Sequence, residues 1–340
     1  MLLISSPRFE EHVTPAGHPE RPERAHVFDA IAASWRAHGG RVVEPRPATR
    51  EDLARVHDAA HLDRIEAVAG RPSMLDPDTF TSPESYEIAV LAAGAAVQAS
   101  AHAMRTGDTA FALVRPPGHH AERDQPMGFC LFNNVAVAAA AARASGVERV
   151  AIVDIDVHHG NGTQWIFYND PRVLYISSHQ FPFYPGTGAA DETGTGAGAG
   201  FNVNIPMEAG ATDADYDLVY RSVAVPVLEQ FRPQLTLISA GYDAHEADPL
   251  ASMRMSASGY ARIVGRLKAA AAESGALALV TEGGYDLPAL RDCVQATLSI
   301  LDADRIGFAN EDAFRVQQAP RGERALAAVR AAQAGLWSGL

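Results

Sequence analysis

Cysteine is nearly absent. Cys130 and Cys293 are the only two in 340 residues. They are too few for a disulfide framework, so a reducing, cytoplasmic setting is expected. Positive charge is also short: 28 Lys+Arg stand against 41 Asp+Glu, a net charge of −13. Nucleic-acid binders need a basic footprint, so this balance argues against that class of partner. No uncharged apolar run reaches the length of about 18 residues that a membrane helix needs. The best candidate, Ala89–Met104, contains Gln98 and His102 and reads as a small-residue helix packed in a core, so no membrane partner is expected. Near the start, Arg8, Glu10 and Glu11 interrupt any apolar run, and no secretory signal is expected. Repeats and linker-like boundaries are missing as well, which favours one domain over residues 1–340 although the length allows two. At 47% hydrophobic and 20% charged residues, the composition is that of a folded chain.

What the chain does have is alternation. Short apolar runs at 109–114, 149–156, 173–177, 201–205, 235–240 and 277–281 read as strands. Alanine-rich segments at 22–38, 82–106, 134–145, 213–230, 256–273 and 287–301 read as helices. This order implies an α/β fold with a parallel sheet covered on both faces. Such sheets bind ligands beyond the carboxyl ends of their strands.

Those ends carry unusual residues. The strand at 109–114 runs into Arg115-Pro-Pro-Gly-His119-His120, and that at 149–156 into Val157-His158-His159-Gly-Asn161. The strand at 235–240 leads to Gly241-Tyr-Asp243, and that at 277–281 to Glu282-Gly-Gly-Tyr285. Period two places Asp154, Asp156 and His158 on one face of a continuing strand. Buried carboxylates are costly unless paired or bound to a cation. Asp156 and His158, with Asp243 from a neighbouring strand, make three ligands with an open position, the pattern of a catalytic metal site. A buried Asp/His hydrogen-bond network without metal fits the same spacing. Adjacent histidines on an extended loop point apart, so one structural and one exposed histidine is the plainer reading of His119-His120. An acid/base pair requires a turn at Pro116-Pro117-Gly118. The glycines before Tyr285 permit a bend that aims a phenol at the pocket, or simply a turn with a core tyrosine.

Two signals are set aside. The glycines at 194, 196, 198 and 200 precede a strand rather than follow one, so they are no dinucleotide fingerprint. Cys130 is conceivable as a nucleophile beside His119 and His120, but nothing else marks a covalent mechanism.

Taken in order, TPAGHPERPER (14–24), RPPGHH (115–120), GFCLFNN (128–134), DIDVHHGNGTQ (154–164), PGTG (185–188), AGYDAHEADPL (240–250) and EGGYD (282–286) resemble the histone deacetylase / acetylpolyamine amidohydrolase family. The closest likeness is to class II deacetylases and bacterial histone-deacetylase-like amidohydrolases. The resemblance spans residues 10 to 300. It implies the arginase–deacetylase fold, three layers around a mostly parallel sheet of about eight strands. It also implies a zinc-dependent amidohydrolase that removes acetyl or related acyl groups from acetylated lysine or a small acetylated amine.

By position, the resemblance makes Asp156, His158 and Asp243 the ligands of one zinc per chain, a set that iron(II), cobalt or manganese also suit. It makes His120 the general base, oriented by Asn161, and His119 its charged neighbour facing Asp154. Tyr285 becomes the oxyanion donor. Gly128, Phe129, Tyr184 and Leu250 line the substrate channel, with Tyr184 a departure from the usual Phe. Arg24 falls at an inner product channel, with a surface helix charge as the alternative reading of it. Asp154, Asp156, His158, Ser177 and Phe167 match sites for potassium or sodium. Leu250 carries no charge where polyamine-selective relatives place a carboxylate, so acetyl-lysine substrates are expected over acetylpolyamines unless Glu20, Glu23 or Asp78 supplies the charge. A ureohydrolase would need a second set of metal ligands. A non-catalytic acyl-binding module would not need Tyr285 and His120. A homo-oligomer remains compatible with the sequence.

Overall fold

The computed structural model describes residues 1–273, 275–302 and 318–340. The strands are β1 (Leu2–Ile4), β2 (Arg41–Val43), β3 (Ser73–Met74), β4 (Phe80–Thr81), β5 (Ala110–Ala112), β6 (Val150–Asp154), β7 (Val173–Gln180), β8 (Asn202–Met207), β9 (Leu235–Ala240) and β10 (Ala276–Thr281). The helices are α1 (Glu23–Ala37), α2 (Arg50–Ala54), α3 (Ala59–Glu66), α4 (Ser85–Thr106), α5 (Asn134–Ala144), α6 (Asn161–Phe167), α7 (Asp213–Val219), α8 (Val225–Phe231), α9 (Ala257–Ala272), α10 (Leu287–Asp302) and, among the described residues, α11 (Pro320–Ala332).

Eight strands form one sheet in the order β2-β1-β5-β10-β9-β6-β7-β8, every neighbour parallel. β3 and β4 make a separate antiparallel hairpin. Period two divides the main sheet between two cores. Leu3, Phe111, Val153, Ile176, Ile238 and Leu279 point into one, closed by α1, α7, α9, α10 and α11. Ile4, Ala112, Ile152, Tyr175, Leu237 and Val280 point into the other, closed by α4 and α5. A third apolar cluster joins α2 and α3 to the outer sides of α4 and α5.

α4 is long and apolar enough to cross a membrane by length and composition, but two thirds of its apolar window, 67%, is buried in this packing. Alanines dominate its inner face because a small Cβ lets it lie close to the sheet and α5. The helix expected over 213–230 is broken by a π turn at Tyr220–Ala224. The topology sets the site. β5, β10, β9 and β6 are consecutive in the middle of the sheet, so their carboxyl ends meet at one place.

Candidate active site

β6 stops at Asp154, earlier than the expected strand. The aspartates themselves end it. Asp154 Oδ1 accepts from Asp156 N–H at 3.2 Å, and Asp156 Oδ1 from His158 N–H at 2.8 Å. Side chains that capture nearby backbone amides turn the chain away from the ladder. One continuous face therefore does not carry Asp154, Asp156 and His158. Two successive turns do, sending Asp156 and His158 to one centre and Asp154 to His119. Asp243 Oδ1 accepts from Val157 N–H at 2.8 Å, and Asp156 Oδ2 from Gly283 N–H at 2.8 Å, so β6, β9 and β10 are laced together around the group. A Cβ on Gly283 would overlap both carboxylates, which explains glycine there.

The result is a buried triad. One ligand atom each from Asp156, His158 and Asp243 lies within 4.8 Å of the others. His158 Nδ1 sits 3.2 Å from Asp156 Oδ1 and 3.1 Å from Asp243 Oδ2. Burial opposes charge on this imidazole, but the two carboxylates outweigh it and raise His158 to about 10. Two buried carboxylates converging on one point require a positive partner. Two anionic oxygens and an imidazole suit a small divalent cation, so the residues fit the metal the sequence implies. Among the described residues this is the one such group of three.

The tandem histidines do not point apart as the plainer reading had it. Both are buried and their rings lie 4.1 Å apart. His119 Nδ1 meets Asp154 Oδ2 at 3.0 Å, and His120 Nδ1 meets Asn161 Oδ1 at 2.8 Å. Burial disfavours the His119 cation, but Asp154 and Asp156 overcome it and lift this histidine to about 10. Burial, with His119 and His158 adding repulsion, drives His120 well below its ordinary value. One histidine is thus held charged and its neighbour neutral.

A residue the sequence reading passed over holds this turn. Glu282 Oε2 accepts from the N–H groups of Gly118 (2.6 Å) and His119 (3.1 Å), and Oε1 from Ser239 Oγ (2.7 Å). Burial pushes its carboxyl up to about 7. Its position directly before the two glycines was the available signal.

Tyr285 is 6% exposed, and burial raises its phenol well above the usual value, so it is a proton-bearing donor. Its ring stands 5.8 Å from Phe129 and 5.0 Å from the Arg24 guanidinium. Arg24 is not a surface charge. It is fully buried and donates to Gly284 O (2.8 Å), Glu282 O (2.5 Å) and Glu20 Oε1 (3.0 Å). Asp248 was also missed. Its Oδ2 accepts from Tyr285 N–H at 2.7 Å and its Oδ1 from Leu250 N–H at 3.0 Å.

Aromatic rings wall the approach. Phe183 stacks on His158 at 5.4 Å, and Tyr184, 38% exposed, stands edge-on to His120 at 5.2 Å. Phe129 has φ 70, a left-handed conformation costly for a bulky residue. The preceding Gly128 has φ +56, and a Cβ there would overlap the His120 ring. Thr79 Oγ1 accepts from Phe129 N–H at 3.1 Å, which ties the β3–β4 hairpin to the rim. Asp78, from that hairpin, faces Gly128 and Tyr184. Of the three acids considered for the mouth, Glu20 is buried between arginines and Glu23 is exposed on α1, while Asp78 is at the rim. Leu250 is half-buried in the loop that Asp248 anchors.

Ser177 pairs in register with Asp154 across β6 and β7, and its hydroxyl meets His179 Nδ1 at 2.9 Å. Phe167 lies at the far end of α6, its carbonyl accepting from Asp170 N–H at 2.9 Å. Cys130 Sγ donates to Gly128 O at 3.2 Å, and burial holds its thiol well above the usual range, unlike a nucleophile.

A parallel α/β sheet with paired histidines, a phenol and an Asp/His/Asp triad at its central strand ends defines an amide hydrolase of the deacetylase class. The histone deacetylase domain model matches residues 18–301, and the chain belongs to that family. It is 44% identical to a probable deacetylase of Methanothermobacter thermautotrophicus over 295 residues, covering 85% of this chain and 87% of that protein. It is 40% identical to a histone deacetylase-like amidohydrolase of Pseudomonas aeruginosa over 301 residues, 85% of this chain and 78% of that one. The crystal structure of the HDA15 HD domain superposes with a TM-score of 0.90 at 36% identity, covering 99% of this chain and 94% of that one. The fold is therefore the arginase–deacetylase fold, and the chain is a deacetylase-type hydrolase acting on acetylated substrates.

Proposed function

We propose that this enzyme is a zinc-dependent amidohydrolase that removes acetyl groups from acetylated lysine side chains. The observation that carries the reading is the buried Asp156/His158/Asp243 triad, with ligand atoms within 4.8 Å of one another and two histidines beside it. A zinc ion held there supplies Lewis acidity toward a water and an amide carbonyl. The protein residues do the rest. His120, neutral and oriented through Nδ1 by Asn161, takes the water's proton at Nε2 and returns it to the departing amine. His119, charged against Asp154, supplies a fixed positive field beside it. Tyr285 donates its O–H to the oxygen on which negative charge develops. Phe129 and Tyr184 grip an alkyl chain and exclude water.

Acetylpolyamines are a second reading, favoured by one observation. Asp78 stands by Tyr184 and Gly128, where it can meet the distal ammonium that uncharged Leu250 cannot. A parallel assay on a fluorogenic acetyl-lysine peptide, acetylputrescine and acetylspermidine decides between them. The expected result is higher kcat/KM for the peptide, activity lost with chelator and restored by zinc. Preference for the polyamines establishes the second reading. No turnover of any of the three by zinc-loaded protein leaves only an acyl-binding module.

A further inference from the structure

We propose that the hollow between the outer edge of β2 and α4 is an anion site for a small molecule that carries a diphosphate group. The hollow has a volume of about 340 Å³ and is lined by Arg41, Arg46, Arg105, His102, Gln98 and Asp52, among others. None of its lining residues belongs to the active site. Its size falls within the roughly 300–1,000 Å³ of small-ligand sites.

Charge is the first reason. Among the described residues, the guanidinium groups of Arg41, Arg46 and Arg105 make no ion pair or hydrogen bond. Arg8, Arg50, Arg55, Arg172, Arg291 and Arg324, on the same acidic surface, each hold a carboxylate. In a chain of net charge −13, three unpaired arginines around one hollow are a local inversion of the protein's field.

His102 is the second, independent reason. It lines the hollow, is 4% exposed, and its Nε2 is buried with no hydrogen-bond partner. Buried polar atoms are paired in nearly all native structures, and an orphan calls for a missing partner. Burial lowers the His102 pKa, and Arg41 and Arg105 lower it further, so a neutral ring stands in a positive field. One acid, Asp52, lines the hollow beside the three arginines. Asp52 is engaged by Thr49 N–H (3.1 Å) and Oγ1 (2.6 Å). Asp108, just beyond α4, acts on His102 in the opposite sense to Arg41 and Arg105.

The floor is built in advance. A side chain at Gly94 would overlap the Arg46 carbonyl. Its absence lets the segment after β2 seat on α4, through Arg46 N–H to Gln98 Oε1 (3.1 Å) and Ala48 N–H to Val90 O (3.0 Å). Guanidinium forks match phosphate oxygens in pairs, and three of them offset the charge of a diphosphate where a monocarboxylate would leave two unmatched.

Calorimetric titration of the full chain with sodium pyrophosphate tests the site, at an ionic strength of about 0.15 M, where exposed charges beyond ~8 Å are screened. One saturable site with Kd below about 1 mM is expected, weakened roughly tenfold or more by Arg41→Gln, by Arg105→Gln and by His102→Gln. Arg330→Gln, at an exposed position of α11, serves as the control and should leave affinity unchanged. Orthophosphate should bind more weakly than pyrophosphate. An ADP arm distinguishes a nucleotide from free diphosphate: equal affinity assigns the site to diphosphate esters, and loss assigns it to the free anion. Absence of saturation by about 10 mM overturns the proposal. So does wild-type affinity in both arginine variants with native circular dichroism.

Discussion

Replacing Glu20 tests how the catalytic turn is held from behind. Its two oxygens accept from Arg115 Nε (2.8 Å), Arg115 Nη2 (2.8 Å) and Arg24 Nη1 (3.0 Å), all fully buried, with His12 Nε2 at 3.4 Å. Burial by itself raises a carboxyl, but Arg115, with His12 and Arg24, holds Glu20 well below the usual carboxylate range. Glu20→Gln leaves two buried guanidinium groups without their counter-charge and turns an amide N–H₂ toward one of them. Breaking a buried ion pair from one side costs about 3–5 kcal/mol. Because the folded carboxyl is depressed, its contribution is fully present above the unfolded pKa of about 4.3 and is lost as pH falls below it. Urea unfolding of wild type and variant at pH 7 should therefore differ by that amount, and the gap should narrow as the buffer is taken toward pH 3. Arg24 also loses one of its three anchors, so kcat should fall while bound metal is unchanged. A stability difference under about 1 kcal/mol, or a gap that does not narrow in acid, refutes the account of this cluster.

Tyr285→Phe should lower kcat by about 10²–10³ with metal retained, and near wild-type turnover would make the phenol mere packing. His120→Ala should cost about 10²–10⁴ in kcat, more than His119→Ala, and equal kinetics would undo the division of roles between them. Asp243→Ala should emerge from metal analysis without zinc; a stoichiometric ion in that variant removes Asp243 from the ligand set. Glu282→Ala should lose about 1.5–3 kcal/mol of stability, because the buried Gly118 and His119 N–H donors lose their shared acceptor. Its kcat should fall with KM unchanged, and a wild-type kcat would show that Glu282 does not place the histidines.

The central strands were legible because each is a buried apolar run bounded by chemistry-bearing loops: 235–240 and β9 coincide to the residue. The two strands at one side of the sheet were not. β1 and β2 are three residues each, too short for alternation to register, and they exist only because parallel neighbours offer a ladder, β5 to β1 and β1 to β2. α6 was hidden because its residues directly follow His158-His159 at the end of the expected strand. At the site, Asp156, His158 and Asp243 could be named from residue type and strand order. The convergence of His119 and His120 could not, because Glu282 folds that turn from a strand more than 160 positions away. Arg24 shows the same limit. An arginine in the first turn of a helix looks exposed until Glu20 and the carbonyls of 282 and 284 close over it.

Asp248 ties two properties that selection would otherwise vary separately. One of its oxygens fixes the amide of Tyr285 and the other that of Leu250. A change that reshapes the Leu250 loop to admit a new substrate pulls on the same carboxylate that sets the height of the phenol. Drift in selectivity along this loop is thereby coupled to turnover, and most variants should lose rate before they gain a new preference. The β3–β4 hairpin has no such tether to Tyr285 and meets the rim through Thr79 and Asp78. Divergence toward new acetylated amines, in nature or in directed evolution, should accumulate on residues 73–81 and leave 246–252 nearly fixed.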